Sequence, residues 1–582
     1  MSENLTRARN LLNFSDSRTI AKSLILAIIY CFTLYHMGYV FHENLAISAA
    51  RVTVVALSIL TINIFLLSVI RNRFLQISYF VLFVSFLLSN LLYYRYFEIQ
   101  IKLGQLLAIG NLPLVTGYAV SLLRKGDIVI ALGLVSLILL SLNKAVTRAS
   151  IPKKTLLISI ILLSVLRVGV HIPAIAFASG YEFVRVLGGF VHSDNHIFTL
   201  RFGFSVGLLS DLFNMASNSR SEDKLDGVKE YRMKLAASGD PAPETRPNII
   251  ILQLESIDFQ LLGLRQGGVE ITPFMNRMMK EALFFPNYYT VRYTGSTSDA
   301  EFSILTSLHP LTDKPSFYAS GFERIPSLPT VLAMHSYTTA AFHANKASFW
   351  GRINAFKPLG IETYHSLKDY SDLPRSKSGT VPDKYFLRRT LDIISAMPEP
   401  IYAHVLTISS HGPFKNIEFD MVEDLPRDME TNDNKLLDNY FRIARHLDSL
   451  LGEFVRKTRE RFGDYIIVIV GDHTAGINQD TYVSRERGPG KVPFFIITNR
   501  SGQHGPIVTF GNHLDIAPTL AGLANIPSPR AWQGSDLLSP DLKRERLYFK
   551  QPLGYIDHEA RFNPISGRMP ETLNMAEKYL WH

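Results

Sequence analysis

Cysteine is almost missing from this chain: of 582 residues only Cys31 is one, and it lies inside the first apolar run. An intramolecular disulfide and a cysteine zinc site are both excluded, so any metal must be held by oxygen and nitrogen ligands. Internal repeats and long low-complexity tracts are also absent. No cleavable signal peptide is evident, because the first apolar run is long and further runs follow it, so it is expected to remain as an anchor. The apolar spans contain no conspicuous pair of interrupted helices with intramembrane charge, which argues against a transporter; Arg167 in the fifth span stands alone.

The chain is too long for a single hydrophobic core, which predicts two or more structural units. Its 47% hydrophobic residues crowd into the first third. Runs near the roughly 20 residues that cross a bilayer recur there. Five spans are read, at about 20–41, 52–70, 74–94, 127–143 and 155–175. The formal charge of +9 could indicate nucleic acid, but many Lys and Arg residues flank the apolar runs, where they set topology instead. Arg7, Arg9, Arg18 and Lys22 precede the first span; Arg71 and Arg73 separate spans two and three; Lys144, Arg148, Lys153 and Lys154 separate spans four and five. These clusters belong on the cytoplasmic side, and an odd number of spans then delivers the rest of the chain to the extracytoplasmic side. Arg124 and Lys125 fall in an outward-facing loop in this scheme, a mild violation of the charge rule.

The predicted units are a transmembrane domain over 1–175, an interfacial segment and polar linker over 176–247, an α/β domain over 248–540 and a C-terminal extension over 541–582. NIIILQLES, starting at Asn248, is a continuous apolar run of the kind found in buried parallel strands, and the helical pattern TPFMNRMMKEAL follows it. A second such strand is YIIVIVGDH. In an open α/β sheet the functional groups gather beyond the strand carboxyl ends. Glu255 ends one of these strands and Asp472 with His473 the other, so a shared sheet edge would make a divalent-metal cradle. Each residue alone has an ordinary structural explanation, such as a helix cap, and the combination carries the inference. In YTGSTSDAEF, Gly295 and small hydroxyl residues precede a helical pattern, so backbone N–H groups and the helix dipole could receive a phosphate beside Thr297. A threonine hydroxyl needs a metal or base to become a nucleophile, and a nearby dication would serve.

LQLES, GSTSDAEF, FHANKASFWGR, SSHGPF, VGDHT and HLDIAPTLAGL occur in the order seen in lipoteichoic acid synthase type phosphoglycerol transferases, and roughly residues 248–525 resemble that family. The resemblance implies an N-terminal five-helix membrane anchor and an extracytoplasmic domain of the alkaline phosphatase and sulfatase type. It places metal ligands on Glu255, Thr297, Asp472 and His473, with Mn²⁺ the usual metal and Mg²⁺ also suited to this donor set. It places glycerophosphate contacts on Trp350, Arg352 and His411. His513 matches a histidine found near the metal in some superfamily members, and His343, Asn345 and Lys346 form a polar stretch just before Trp350.

The implied reaction is a double displacement in the bacterial cytoplasmic membrane. Thr297 takes the glycerophosphate headgroup from phosphatidylglycerol, releasing diacylglycerol, and passes it to a hydroxyl on an envelope glycan or glycerophosphate polymer. A phosphoethanolamine transferase is the nearer rival, although such enzymes usually carry periplasmic disulfides. A sulfatase would need a C/S-x-P-x-R pattern, which is lacking, and a non-catalytic receptor would be expected to lose part of the Glu255, Thr297, Asp472, His473 set. Ser296 stands where the synthases often carry a basic residue, which leaves single-group transfer open beside polymerisation.

Overall fold

The computed structural model describes residues 17–36, 70, 72–97, 123–142 and 225–580, with isolated positions between 59 and 67. Within the last range, 239–244, 294–295, 313, 377–378, 413, 415–434, 480–481, 484–488, 551–552, 558 and 566–570 are not described. The chain divides into two compact units, one containing the apolar N-terminal helices and the other containing Met215–His582.

The described helices of the first unit are α1 (Ser17–His36), α2 (Arg73–Phe97) and α3 (Ile128–Leu142). Their inward residues, among them Leu26, Tyr30, Phe80, Leu87 and Leu137, form one core. Ile28, Leu82, Leu132 and Leu139 face outward. A helix apolar all round suits lipid rather than water. Among the described residues two helices are long and apolar enough to cross a membrane, Arg73–Leu92 with 20 residues and Lys125–Leu142 with 18; the apolar stretch Ala21–Thr33 is shorter. Spans one, three and four thus coincide with helices. Span two is described only at isolated positions, and span five and the interfacial segment at 176–215 lie outside the described residues.

The second unit is built on an eight-stranded sheet. In chain order its strands are β1 (Asn248–Leu254), β2 (Leu283–Phe284), β3 (Thr338–His343), β4 (Thr363–His365), β5 (Ile401–Leu406), β6 (Tyr465–Gly471), β7 (Phe494–Thr498) and β8 (Gly505–Pro506). The spatial order is β8-β2-β7-β6-β1-β5-β3-β4. From β6 to β4 all neighbours run parallel, while β7 runs antiparallel to β6 and β2. Every residue of β1 is buried, as its unbroken apolar run requires of a central strand covered on both faces. Alternate β1 residues feed opposite layers: Ile249 and Ile251 enter one core, and Ile250, Leu252 and Leu254 the other.

Helices α5 (Pro273–Glu281), α7 (Asp383–Ser395) and α8 (Lys435–Arg461) pack on one face, and α6 (Thr297–Thr306) and α9 (Ile516–Leu523) on the other. The N-terminus of α5 is closed by Asp448 of α8, whose two carboxylate oxygens accept from the Phe274 and Met275 amides at 2.7 and 2.9 Å. Both partners are buried, so Asp448→Ala should destabilise this unit by about 1–3 kcal/mol. Urea unfolding would show it, and an unchanged midpoint would rule the bridge out as a stabilising element.

One expectation changes on inspection. The polar linker over 216–247 contains a helix, α4 (Gly227–Ser238). Tyr231 of α4 is buried in the domain core, and its hydroxyl donates to the Pro527 carbonyl at 2.7 Å. One well-placed aromatic docks a segment whose average composition is polar. The C-terminal extension, which carries no motif, forms an antiparallel three-stranded sheet of β9 (Arg546–Lys550), β10 (Leu553–Asp557) and β11 (Phe562–Pro564). Leu547, Phe549 and Ile556 pack there against Tyr289, Val291 and Tyr293.

Candidate active site

The site starts from strand register. Leu254 pairs with Gly471, so the next residues, Glu255 and Asp472, emerge side by side at the carboxyl edge of the sheet. The Asp472 amide still donates to the Leu254 carbonyl at 3.0 Å. The chain then turns sharply: Ser256 has φ 53°, its amide donates to Asp472 Oδ1 at 2.8 Å, and its hydroxyl donates to Glu255 Oε1 at 2.7 Å. The Thr407 hydroxyl accepts from the Glu255 amide at 3.0 Å, and Ser410 Oγ donates to the Glu255 carbonyl. The Thr290 hydroxyl donates to the Asp472 carbonyl at 2.6 Å.

Thr297 is the first residue of α6, following Ser296 in a positive-φ conformation (φ 49°). Its hydroxyl donates to Glu255 Oε2 at 3.1 Å and stands 3.4 Å from His473 Nε2. Thr294 and Gly295 lie outside the described residues. Beneath α6, Gln253 Nε2 donates to the Thr297 carbonyl at 3.4 Å, and Gln253 Oε1 meets His404 Nε2 at 2.9 Å.

The donor set fits a dication because of where its hydrogen bonds leave lone pairs. His473 Nδ1 lies 2.9 Å from the Thr474 carbonyl, which can only accept, so Nδ1 carries the hydrogen and Nε2 presents its lone pair. Burial, outweighing the nearby Glu255 charge, pulls the His473 pKa down to about 4, so the ring is neutral at pH 7. That lone pair lies 3.5 Å from Glu255 Oε1 and 3.5 Å from Asp472 Oδ2. Asp472 Oδ2 is buried and receives no hydrogen bond. Ligand atoms of Glu255, Asp472 and His473 all fall within 4.8 Å of one another. Two carboxylates and an imidazole lone pair crowded into so small a space favour a cation among them. Burial works against ionising Glu255, yet His411, His473 and the Ser256 and Thr297 hydroxyls hold it at about 2. Asp472 shifts the other way, well above the ordinary carboxylate range, because it is buried and faces the Glu255 charge.

The remaining sequence-predicted residues divide. His411 is half-buried just past β5, close enough for its charge to bear on Glu255. Trp350 is half-buried at a left-handed kink (φ 59°, ψ 14°) and touches Phe349 at 5.6 Å between ring centres. Gly351 follows at φ 77°, where a Cβ would approach the Phe317 carbonyl oxygen to 2.9 Å, so glycine is required. Arg352 is fully buried and paired with Glu301 of α6, Nε to Oε2, at 2.8 Å. His513 is not open to a ligand. Its Nδ1 accepts from the Val291 amide at 3.1 Å and its Nε2 donates to the Gly471 carbonyl at 2.9 Å, so it braces the backbone behind Asp472. His343 is buried with Nδ1 at 3.2 Å from the Leu406 carbonyl; burial and the Arg352 charge lower its pKa to about 3. Glu301 was not singled out from sequence, although its place four residues after Thr297 puts both on one helix face.

The sulfatase family model matches residues 247–526, the stretch that holds the two strand-end carboxylates, the imidazole and the threonine that opens α6: the chain carries a sulfatase-family domain over those residues. It is homologous to lipoteichoic acid synthases, which are phosphotransferases of the sulfatase-like superfamily. Lipoteichoic acid synthase 2 of Bacillus subtilis is 26% identical over 96% of this chain and 89% of its own length. Lipoteichoic acid synthase 1 of the same organism is 30% identical over 55% of this chain. The chain spans about half the length of that relative, 53%. Among solved structures, the integral membrane protein lipooligosaccharide phosphoethanolamine transferase A of Neisseria meningitidis shares the fold, with TM-score 0.53 and 14% identity over 89% of this chain and 97% of that one.

Proposed function

We propose that this protein is a membrane-anchored phosphotransferase that moves the glycerophosphate headgroup of phosphatidylglycerol, through Thr297, to a hydroxyl of an envelope glycan or glycerophosphate polymer. The observation that carries this reading is the Thr297 hydroxyl at 3.1 Å from Glu255 and 3.4 Å from His473, at the head of a buried helix. Homology to lipoteichoic acid synthases supports the reaction class. The basic clusters and apolar helices support an anchor in the bacterial cytoplasmic membrane, N-terminus inside and catalytic unit outside.

Glu255, Asp472, His473 and the Thr297 hydroxyl would hold the metal, and an oxygen-rich set with one imidazole suits Mn²⁺ or Mg²⁺. Such an ion would lower the pKa of the hydroxyl and offset charge on the phosphoryl group. Glu255 and His473 orient the Thr297 oxygen. That oxygen gives up its proton and attacks phosphorus, the Oγ–P bond forms, and the P–O bond to diacylglycerol breaks, the one proton lost at Thr297 being balanced by the one that the departing alkoxide gains. His411 hydrogen-bonds a phosphoryl oxygen or supplies the proton taken up by the departing alkoxide, while Arg352 and Trp350 hold the headgroup. An acceptor hydroxyl then displaces Thr297 by the reverse geometry. Acyl chains stay in the bilayer throughout, which is why anchoring serves the chemistry.

With Mn²⁺ and fluorescent lipid in vesicles, the full-length protein should release diacylglycerol from phosphatidylglycerol and at least about tenfold more slowly from phosphatidylethanolamine, a difference of about 1.4 kcal/mol. Preference for phosphatidylethanolamine would replace the donor and favour the phosphoethanolamine reading. Release from neither lipid by folded, metal-loaded protein would overturn the assignment.

A further inference from the structure

From the packing of α6 we infer that Glu301 is a positioning residue for headgroup recognition: it fixes Arg352 relative to Thr297, so that the anion-binding guanidinium and the nucleophile are carried by one helix. The inference rests on the function proposed above and assigns a role to a residue that function does not use.

Thr297 and Glu301 are four apart on α6, so one turn of a single rigid helix separates them. Every residue of α6 is buried, which leaves the helix little freedom to shift between lipid-bound and free states. The Glu301 and Arg352 side chains are both 0% exposed. Glu301 Oε2 takes the Arg352 Nε hydrogen at 2.8 Å, and Arg352 Nη1 donates to the Phe349 carbonyl at 3.3 Å. The guanidinium is therefore gripped on two of its three nitrogens. The third, Nη2, is buried with no hydrogen-bond partner.

A buried N–H group left unpaired is costly, and a guanidinium presents its donors in a flat fork that matches phosphate oxygens. Nη2 is the donor that a phosphoryl oxygen would meet. Arg352 also lies near enough to Glu255 for the two charges to act on each other, so the unfilled donor belongs to the nucleophile's surroundings. Glu301 contributes in two ways. Its charge makes a fully buried arginine tolerable, since an unpaired ion in that position would be strongly destabilising. Its position on α6 converts any movement of the nucleophile into an equal movement of the anion site. Lysine in place of Arg352 would not reproduce this, because a point charge cannot be held by one edge and offer another.

The test uses full-length protein in vesicles with Mn²⁺, comparing Glu301→Gln, Arg352→Ala and the double variant. Two readouts are taken, calorimetric binding of sn-glycerol 1-phosphate and diacylglycerol release from phosphatidylglycerol. Glu301→Gln and Arg352→Ala should each weaken sn-glycerol 1-phosphate binding about tenfold, and the double variant should be no weaker than Arg352→Ala alone. Glu301→Asp, which keeps the charge on a shorter arm, should recover part of the binding and answers the case in which Glu301→Gln does not fold. Wild-type binding in Glu301→Gln, or losses that multiply in the double variant, would overturn the inference. If binding follows the expected pattern while phosphatidylglycerol is not cleaved, the donor assignment fails and the positioning role stands. If phosphatidylglycerol is cleaved and the two residues act independently, the positioning role alone fails.

Discussion

Thr297→Ala should lower diacylglycerol release from phosphatidylglycerol by at least about 10³-fold, because the proposed covalent path loses its nucleophile. Among the described residues the adjacent hydroxyls are Ser296 and Ser298; both are buried, Ser296 at the positive-φ position before α6 and Ser298 one position into the helix. On a helix, consecutive residues do not share a face. Thr297→Ser keeps the hydroxyl on the same backbone and should retain measurable activity, reduced by the freedom that loss of the methyl group gives to χ1. Acid quenching of the wild type with phosphatidylglycerol and no acceptor should leave a glycerophosphoryl adduct on the peptide containing Thr297. Activity in Thr297→Ala above about one tenth of wild type, or an adduct on another residue, would refute covalent catalysis at this position.

The second large effect concerns the metal-free site. Adding Mn²⁺ to chelator-treated protein should raise its melting temperature, since an ion bound only to the folded state contributes about 2.7 kcal/mol at a hundredfold excess over Kd. Asp472→Asn should abolish that rise and the activity together. In chelator the variant should be as stable as the wild type or more so, because the amide removes one of two facing charges. The pH dependence separates this from a simple loss of fold. Burial and the Glu255 charge raise the Asp472 pKa in the folded state. Its contribution is therefore complete below the unfolded carboxylate value and is lost as pH rises through the raised folded value. Glu255 runs oppositely: held at about 2, it contributes above the unfolded value and loses that contribution as pH falls towards 2. The metal-free wild type should thus lose stability relative to Asp472→Asn as pH rises from the acid range towards neutrality, and Mn²⁺ should remove the difference. A Mn²⁺-induced shift that survives in Asp472→Asn would place the ion elsewhere.

The site residues named from sequence and those met only in the fold differ in kind. Glu255, Asp472 and Thr297 stand at the ends of strong local signals, two unbroken apolar strands and one helix start, and such signals survive in any context. His513 has an equally plain place in its motif, yet its ring is spent on the Val291 amide and the Gly471 carbonyl. No local pattern distinguishes a histidine that faces a ligand from one that braces a backbone. The resemblance marks Arg352 as a headgroup contact, and the fold adds what no local pattern shows, a fully buried ion pair with Glu301 of α6.

What the amino-acid sequence determined by itself is whatever depends on neighbours a few residues away: apolar runs near bilayer length, period and burial of β1 and β6, the carboxylates that close them, and the threonine that opens α6. Tertiary structure alone decided which of these meet. Ser256 and Asp472 are 216 residues apart, and their contact exists because Leu254 is in register with Gly471. A shift of one residue would turn the side chains of β1 to the opposite layers and separate the two carboxylates. The docking of α4 through Tyr231, the pairing of Glu301 with Arg352 and the seating of the C-terminal sheet have the same origin. Each is a contact between distant segments, made favourable by burial that no local stretch of sequence can supply.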